Sequence, residues 1–315
     1  MKNIVIICGP TASGKTAAAV ELAKRINGEI VSADSMQIYK FMNIGSAKPT
    51  IEEMGGIPHY MIDIIYPFQD FSVALYRQLA GEVIDDIISR GKIPIIAGGT
   101  GLYINSLTYH MDFTQTSEDK EYRSYLCQIG EEKGNEYLHS MLKDVDPESY
   151  ERLFPNDRKR VIRALEVYKH TGKTISEYQA ESKNKPIEYN PAYIGITMDR
   201  QKLYDRINIR VDKMFEQGLV DEVKYLYNMG YNISMPSMQA IGYKELFEYF
   251  NNTCTLEEAK DSIKQGSRRY AKRQLTWFRR EERVHWVESD KYNSLDEIME
   301  NILEYIKGKN FNCCY

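Results

Sequence analysis

The segment Gly9-Pro10-Thr11-Ala12-Ser13-Gly14-Lys15-Thr16 lies between the apolar run Ile4–Cys8 and the helix-forming run Ala17–Ala23. It matches the pattern G-x-x-x-x-G-K-[S/T], in which a glycine-rich turn joins a buried strand to a helix. The backbone N–H groups of such a turn surround an anion, Lys15 adds a positive charge, and the Thr16 hydroxyl can hold Mg²⁺. The pattern predicts an α/β fold with a phosphate-loop NTPase-like parallel sheet, and a polyphosphate bound by Gly9, Thr11, Ala12, Ser13, Gly14, Lys15 and Thr16.

The composition limits the class of protein. With 41 basic and 45 acidic residues the net charge is −4, which excludes a wholly basic nucleic-acid-binding protein but allows a local basic surface. A length of 315 residues favours a large α/β core with a second lobe. The five cysteines lack the spacing of metal ligands, so we expect reduced thiols in a cytoplasmic protein. We expect neither a signal peptide nor a membrane-spanning segment.

Two further stretches follow strand-like runs. Asp34 comes directly after the run Glu29–Ala33, and Gly98-Gly99-Thr100-Gly101 follows the apolar run Ile93–Ala97. In an open parallel sheet, ligands bind outside the carboxyl ends of the strands, so Asp34 should face the same crevice as the phosphate loop. Glycines at a strand end indicate close backbone approach, although a plain strand-to-helix turn has the same composition.

The middle of the chain has a different pattern. From 112 to about 189 strand-like runs are missing, and a helix is expected from Arg158 toward Lys169. The sequence therefore predicts a mostly helical insertion at 112–191 within a core formed by 1–111 and 192–315. In the core we expect strands at Met61–Ile64, Ala192–Thr197 and His285–Val287, with late helices over 219–229, 238–250, 255–283 and 294–307.

A basic stripe is predicted on the helix expected over 255–283. Wound at about 100° per residue, this helix places its cations on an arc of roughly 120° that contains no acidic residue. Such a stripe favours binding to a phosphate backbone over a merely solvated surface. Its members are Arg269, Lys272, Arg273, Thr276, Arg279, Arg280 and Arg283.

Taken together, the motifs resemble those of one enzyme family. The phosphate loop and five further stretches occur in the order seen in tRNA dimethylallyltransferases, also called tRNA isopentenyltransferases. The chain is most similar to the bacterial type, without the zinc-finger extension of eukaryotic members. The five stretches are Asp34–Tyr39, Gly45–Pro49, Gly98–Tyr103, Asn156-Asp157-Arg158 with Arg163–Val167, and Tyr270–Phe278.

The resemblance implies a reaction. A dimethylallyl group would move from dimethylallyl diphosphate to the exocyclic amine of the adenosine 3′ of the anticodon in tRNA, giving N6-dimethylallyladenosine. The phosphate loop would hold the diphosphate leaving group, with Mg²⁺ as cofactor. A neutral aromatic amine is a poor nucleophile, so a carboxylate at the crevice would help by accepting its proton, and Asp34 fits this role. The resemblance implies that Thr100 positions the reacting groups and that Arg210 contacts the diphosphate.

The resemblance also implies a set of contacts with tRNA and a monomeric enzyme. At one position the chain departs from the family, because Gln239 replaces a residue that is often basic. The residues expected at the RNA are Asp34, Ser35, Met36, Gln37, Thr100, Arg123, Lys159, Arg160, Val161, Ile162, Arg163, Gln239, Ala240, Ile241, Gly242, Tyr243 and Lys244.

Three other functions are compatible with parts of the pattern. A small-molecule kinase would bind ATP in the same loop and pass on its terminal phosphate. A prenyl transferase acting on free adenine nucleotides would share the core motifs. An RNA-binding protein with an inactive phosphate loop would share the basic stripe, although the presence of Lys15, Thr16 and Asp34 argues against it.

Overall fold

The computed structural model describes residues 1–109, 119–183 and 188–309. The chain forms two compact units, of which the first comprises Met1–Thr108 and Glu188–Tyr315 and the second comprises Tyr109–Ile187. The second unit is thus an insertion in the chain of the first.

The first unit is built on a six-stranded sheet. Its strands are β1 (Lys2–Cys8), β2 (Gly28–Ser32), β3 (His59–Tyr60), β4 (Ile93–Gly98), β5 (Tyr189–Thr197) and β6 (His285–Glu288). All pairings are parallel, and the strand order is β3-β2-β4-β1-β5-β6. A parallel sheet is buried on both faces, which explains the continuous apolar sequence of β1. The predicted α/β fold with a parallel sheet is confirmed.

Helices cover both faces of the sheet. On one face α1 and the last helix pack on β1 side chains such as Val5 and Ile7. On the other face α3 and α4 pack on Ile4 and Ile6. The helices of the whole chain are α1 (Lys15–Arg25), α2 (Ile51–Met54), α3 (Val73–Ser89), α4 (Gly101–Thr108), α5 (Lys120–Glu132), α6 (Asn135–Ser140), α7 (Leu142–Val145), α8 (Pro147–Arg152), α9 (Arg158–Thr171), α10 (Ile175–Lys183), α11 (Arg200–Glu216), α12 (Leu219–Asn228), α13 (Tyr243–Phe250), α14 (Leu256–Phe278) and α15 (Leu295–Gly308), with 3₁₀ turns at Pro236–Gln239 and Ser289–Lys291.

A third apolar cluster fixes the segment that follows β2. Ile38 and Met42 of this segment are buried against Val223 of α12 and Phe247 of α13. The segment has few regular backbone hydrogen bonds, so this packing determines where it lies. It carries the residues between Asp34 and Lys48 across the carboxyl end of the sheet.

The second unit is helical throughout its described residues, 109 and 119–183. Leu126, Leu138 and Leu165 belong to its core. The buried Asp146 carboxylate accepts hydrogen bonds from the hydroxyls of Ser149 and Ser176, both at 2.7 Å, and so ties α8 to α10. Such a satisfied buried carboxylate fixes the relative positions of two short helices.

The insertion ends earlier than the predicted residue 191. Tyr189 already pairs with Lys2 as the first residue of β5, and its side chain is buried in the core of the first unit. Pro191 lies inside the strand, opposite Ile4. Because proline is rare in central strands, the sequence suggested a strand that begins only at Ala192.

Two other predicted elements are wrong. Met61–Ile64 is not a strand, because Met61 and Asp63 have φ angles of 62° and 56°, which an extended chain does not adopt. The helix expected over 255–283 ends at Phe278, where the chain turns to enter β6. Arg279, Arg280 and Arg283 therefore do not continue the basic stripe.

The Arg283 side chain has its own partners within the first unit. Its guanidinium donates to Glu281 at 2.8 Å and lies 5.0 Å from the centre of the Tyr193 ring.

Among the residues that the structure describes, no helix is long and apolar enough to cross a membrane.

Strand β2 contains a buried carboxylate whose ionisation stabilises the fold. Glu29 of β2 is 1% exposed and accepts hydrogen bonds from Arg90 at 2.6 and 2.7 Å, from Lys92 at 2.5 Å and from the Tyr60 hydroxyl at 2.9 Å. The hydrogen bonds of Arg90 are the main cause that lowers the pKa of Glu29 to about 2.

We predict that Glu29→Gln lowers the free energy of unfolding by about 3 kcal/mol at pH 7. A depressed carboxyl pKa contributes stability that is present above about pH 4.5 and is lost as the pH falls toward 2. The difference between wild type and variant in urea unfolding should therefore shrink below pH 4.5. A difference that is the same at pH 7 and pH 3 would contradict this assignment.

Candidate active site

The phosphate loop has a backbone that only particular residues can adopt. Gly9, Ala12 and Gly14 have φ angles of 140°, 62° and 97°. A Cβ atom on Gly9 would lie 2.2 Å from the carbonyl oxygen of Ile196, so β1 and β5 approach each other too closely for a side chain. Left-handed residues in sequence with αR residues turn backbone N–H groups toward one side, where they can bind an anion.

Lys15 lies at the beginning of α1, with its side chain folded back over the loop. Its Nζ atom donates to the Pro10 carbonyl at 2.6 Å. The pKa of the Lys15 ammonium is lowered to about 8, mainly by burial and in part by the neighbouring Arg210 charge. The site thus contains a cation that an anionic ligand would stabilise.

The ends of β2 and β4 meet beside this loop. The Thr100 N–H donates to the Ala33 carbonyl at 3.0 Å, and the Thr100 hydroxyl oxygen accepts from the Ser35 N–H at 3.0 Å. A Cβ atom on Gly98 would lie 2.2 Å from the Ala33 oxygen, so this glycine is required for the close approach. The glycines after β4 therefore do bring two backbones together.

Asp34 is held in a definite orientation at this junction. One of its carboxylate oxygens accepts from the Met36 N–H at 2.9 Å. The Gln37 side chain beside it accepts from the Ser32 hydroxyl at 3.0 Å and donates to the Ala47 carbonyl at 3.2 Å. These bonds fix the segment that begins at Asp34 in front of the phosphate loop.

Gln274 of α14 is a site residue that the sequence analysis missed. It is buried, its side-chain oxygen accepts from the Thr11 N–H at 2.8 Å, and its amide nitrogen donates to the Gly99 carbonyl at 2.9 Å. A Cβ atom on Gly99 would lie 2.0 Å from that nitrogen. Its signal in the sequence was weak, because a single neutral amide stands among the cations of 268–280.

Tyr270, one turn before Gln274, is a second residue that was missed. It was expected only to pack α14 against the core. Burial is the main cause that raises the pKa of its hydroxyl to about 12, and the negative charge of Asp34 adds to the effect. The Tyr270 hydroxyl therefore stays protonated at neutral pH and can donate a hydrogen bond within the site.

Arg210 borders three adjoining cavities of the first unit. A cavity of about 580 Å³ is cationic, with Lys15, Lys48, Arg206 and Lys213 in its wall. A small cavity of about 80 Å³ lies between the phosphate loop and Asp34. A third cavity, of about 320 Å³, combines Asp34 with apolar side chains, and its wall includes Met36, Ile207, Val211, Met214, Ile241 and Ile263.

This arrangement separates two kinds of chemistry. A polyphosphate fits the cationic cavity, because burial there makes Lys15 and Arg210 strongly attractive to negative charge. A flat, mostly apolar group fits the third cavity. The Asp34 carboxylate and the Arg210 guanidinium border both the small and the third cavity, so reacting groups could meet between them.

Two charged side chains clamp the segment that forms one wall. Glu222 accepts hydrogen bonds from three consecutive backbone N–H groups, those of Asn43, Ile44 and Gly45, at 2.8 to 3.1 Å. It also accepts from the Tyr243 hydroxyl at 2.7 Å. Tyr243, which was expected to contact the RNA, is buried. Its hydroxyl bonds to Glu222, which in turn holds the segment.

Lys48 is the second clamp. Its Nζ atom donates to the Tyr39 carbonyl and the Asn43 side chain, both at 2.8 Å, and to Asp63 at 2.5 Å. The Lys48 side chain is only 6% exposed, so its charge is used within the protein. Burial lowers the pKa of this ammonium, which the Asp63 carboxylate partly offsets.

The other predicted RNA-contacting residues of the first unit lie at the third cavity or beside it. Its wall contains Ser35, Met36, Gln239, Ala240, Ile241 and Gly242, together with Arg273 of the basic stripe. Lys244 lies 3.6 Å from Glu245. Arg269 and Lys272 are exposed on α14.

The predicted contacts of the second unit surround Glu166 of α9. Its buried carboxylate accepts from Arg123 at 2.8 and 2.9 Å and from Arg163 at 2.6 Å. Lys159 and Arg160 are exposed at the beginning of α9. The side chains of Val161 and Ile162 are buried in the core of this unit. These side chains therefore cannot contact a partner themselves, and only the surface of α9 around them could do so.

Comparison with known proteins identifies the family. A profile of IPP transferases matches residues 37–281, and a profile of isopentenyl transferases matches residues 2–64. The chain belongs to the IPP transferase family. It is 55% identical over 306 residues to a tRNA dimethylallyltransferase of Acetivibrio thermocellus, covering 97% of this chain and 98% of the relative.

Solved structures of IPP transferases agree with this assignment. A tRNA isopentenylpyrophosphate transferase from Bacillus halodurans is 46% identical, with a TM-score of 0.72 and 98% of each chain covered. A eukaryotic dimethylallyltransferase acting on tRNA is 26% identical, with a TM-score of 0.82, and the match covers 99% of this chain and 81% of that one. The resemblance noted in the sequence is confirmed.

We predict that binding of dimethylallyl diphosphate raises the pKa of Lys15. The anion would stabilise the ammonium charge in place of the water that burial removes. In the free protein this pKa is about 8, so Lys15 is largely neutral at pH 9 and charged at pH 7. Calorimetry of dimethylallyl diphosphate binding, in buffers of different ionisation enthalpy, should show uptake of close to one proton at pH 9 and almost none at pH 7.

Lys15→Arg is the matched control, because an arginine stays charged at both pH values. It should take up no proton at pH 9. Binding by the wild type without proton uptake at pH 9 would show that Lys15 is already charged in the free protein.

Proposed function

We propose that this IPP transferase moves a dimethylallyl group from dimethylallyl diphosphate to the exocyclic amine of the adenosine 3′ of the anticodon in tRNA. Membership of the family makes the chain a prenyl transferase that modifies tRNA. The observation that carries the choice of donor and mechanism is the small cavity between the phosphate loop and Asp34. Its wall contains both the cations suited to a leaving diphosphate, Lys15 and Arg210, and the carboxylate suited to an amine, Asp34.

The donor side of the reaction needs stabilisation of negative charge. As the C–O bond of the donor breaks, its electron pair remains on the diphosphate. The loop N–H groups, Lys15 and Arg210 would stabilise that charge, and their partly buried setting would strengthen the interaction. Donors fixed before the reaction do not have to reorganise during it, which lowers the barrier.

The acceptor side needs a base. The amine nitrogen forms the new N–C bond and becomes positively charged, and its proton passes to the Asp34 carboxylate. The Met36 N–H occupies one oxygen of the Asp34 carboxylate, and Asp34 lines the small cavity, where its other oxygen would accept the proton. Thr100 and Tyr270 border the same junction, and each carries a hydroxyl there. These hydroxyls would orient the Asp34 carboxylate.

Thr16 is the residue that would hold Mg²⁺. Its side chain lines the cationic cavity and the small cavity, next to Lys15. The described residues contain no group of three acidic, histidine or cysteine side chains that could form a complete metal site. This donor set fits an ion that takes most of its ligands from phosphate oxygens and water. When bound, Mg²⁺ would neutralise part of the diphosphate charge.

The proposal extends to the setting of the reaction. The enzyme acts as a monomer in the cytoplasm, where its RNA acceptor is made and used. One unit binds the donor and the target base, and the second unit contributes RNA contacts through Lys159, Arg160, Arg163 and Arg123. Arg123 and Arg163 would be presented in fixed orientation because Glu166 holds both.

Labelled dimethylallyl diphosphate provides the test. The protein, Mg²⁺ and the labelled donor are incubated with unmodified tRNA or with AMP, and label is expected only in the tRNA. Competition with ATP separates this from the kinase alternative, since a kinase would hydrolyse ATP and bind it more tightly than the prenyl donor. Labelling of AMP at the same rate would indicate that the acceptor is a free adenine nucleotide.

We predict that Asp34→Asn slows single-turnover prenyl transfer by about 10²–10⁴-fold, because an amide cannot accept the proton of the amine. Asparagine keeps the size and a hydrogen-bond acceptor, so the dissociation constant for tRNA should change much less. The matched control is Asp261→Asn, which removes an exposed carboxylate from α14 and should react like the wild type. If Asp34→Asn retains a rate within a few-fold of wild type, the proton goes to water or to the departing diphosphate.

We predict a salt-dependent loss of tRNA binding when Arg269 and Lys272 are replaced by alanine. Each lost phosphate contact should reduce the slope of log K against log salt by roughly one. Lys24→Ala, a change at an exposed lysine of α1, serves as the control. A slope equal to that of the wild type would show that the two side chains are solvated and do not contact phosphates.

A further inference from the structure

The first unit carries a group of exposed aromatic rings, which we call the aromatic platform. It consists of Phe41, Tyr66, Phe68 and Tyr225, with side chains 36%, 39%, 61% and 53% exposed. Tyr66 and Phe68 are stacked with ring centres 5.7 Å apart, and Phe41 lies 5.8 Å from Tyr66 and 6.2 Å from Tyr225. Contiguous exposed rings of this kind mark interaction sites, since single exposed apolar residues are the ordinary case.

The platform is rigid where its two stacked rings are attached. Tyr66, Pro67, Phe68 and Gln69 form a tight turn in which the Gln69 N–H donates to the Tyr66 carbonyl at 2.9 Å. The Gln69 side chain accepts in return from the Tyr66 N–H at 2.7 Å. Pro67 is buried, and its carbonyl accepts from the Ser237 hydroxyl at 2.7 Å. A ligand would therefore meet rings that are already in position.

Phe41 is held outward by a backbone that bulky residues rarely adopt. Its φ angle is 69°, in the left-handed region that favours glycine. The flanking residues fix this conformation, because the Lys40 N–H donates to the Ile65 carbonyl at 2.8 Å and Met42 is fully buried. Strain of this kind persists where the surrounding structure enforces it, and it is frequent at functional sites.

A positive charge lies over the platform. The Lys40 ammonium is 4.3 Å from the centre of the Tyr66 ring. Flat aromatic rings beside a cation are the combination that binds unpaired nucleotides, because the base stacks on the rings and the phosphate meets the charge.

The platform is connected to the active site through two short elements. Ser237, which anchors the turn, belongs to the 3₁₀ turn whose Pro236 and Gln239 line the third cavity. Phe41 lies on the segment between Asp34 and Ala47, both of which line that cavity as well. A polymer that places one base in the cavity can thus extend over surface built by the same two elements.

We infer that the aromatic platform stacks one unpaired base of the acceptor RNA, with Lys40 beside a phosphate of the same strand. The inference rests on the proposed function, because it takes as its ligand the RNA whose adenosine is modified. It adds a stacking contact outside the cavity that receives the target base. The site would hold the anticodon loop at two points and so contribute to the affinity for the RNA.

Phe68→Leu tests the inference, because leucine keeps an apolar side chain but removes the aromatic face. The probe is an unmodified anticodon stem-loop RNA, and its dissociation constant should rise about 10-fold. The turnover number at saturating RNA and the KM for dimethylallyl diphosphate should stay within twofold of wild type. Phe68→Tyr, the matched control, should bind the RNA like the wild type.

Salt titration separates stacking from charge. Phe68→Leu should weaken binding by the same factor at all salt concentrations, whereas Lys40→Ala should reduce the salt slope by about one. Unfolding of each variant is measured in parallel, and an unchanged unfolding midpoint shows that the turn is intact.

Three outcomes would overturn the inference. The first is wild-type RNA affinity in Phe68→Leu, and the second is an equal loss of affinity in Phe68→Tyr. The third is concentration-dependent dimerisation of the wild type that Phe68→Leu abolishes, which would make the platform a contact between two copies of the chain. Failure of the wild type to prenylate tRNA at all would instead contradict the proposed function, so the two failures are distinguishable.

Discussion

The two hydrogen bonds of the Gln274 side chain connect the parts of the active site. They join α14 to the phosphate loop through Thr11 and to the loop after β4 through Gly99. A buried amide that is satisfied on both sides is rigid, because breaking either bond leaves a buried polar group without a partner. The phosphate loop therefore takes its shape from the helix that docks on it as well as from its own glycines.

The electrostatics of the site follow from this rigid frame. Lys15 and Arg210 are half-buried and near enough for their charges to interact, and desolvation is the main cause that lowers the pKa of both groups. The frame keeps these cations close together although they repel each other, so the protein is organised for a ligand of opposite charge. In the proposed reaction the diphosphate gains negative charge as its bond to carbon breaks, so its affinity for this site would rise in the transition state. Stabilisation of that kind accelerates the chemical step.

Local sequence patterns predicted the parts of the fold that depend on neighbours in the chain. The phosphate loop, α1 and β4 belong to this group, since glycine turns and apolar runs act within a few residues. Gln274 and Glu222 could not be predicted in the same way. Their partners lie 263 and 177 residues away in the sequence, and only the folded chain brings them together. The prediction of a strand at Met61–Ile64 was wrong because β-branched residues also occur in irregular loops.

The segment from Asp34 to Lys48 shows why irregular structure is useful here. A helix or strand would satisfy its backbone internally but would repeat its side chains at a fixed period. Side chains satisfy the backbone instead, Glu222 from α12 and Lys48 from the end of the segment itself, so each residue of the segment can face a different direction. Asp34 and Ala47 face the cavities while Phe41 faces outward. In the proposed reaction, one clamped segment would place a base beside the donor and also contact the RNA strand that carries it.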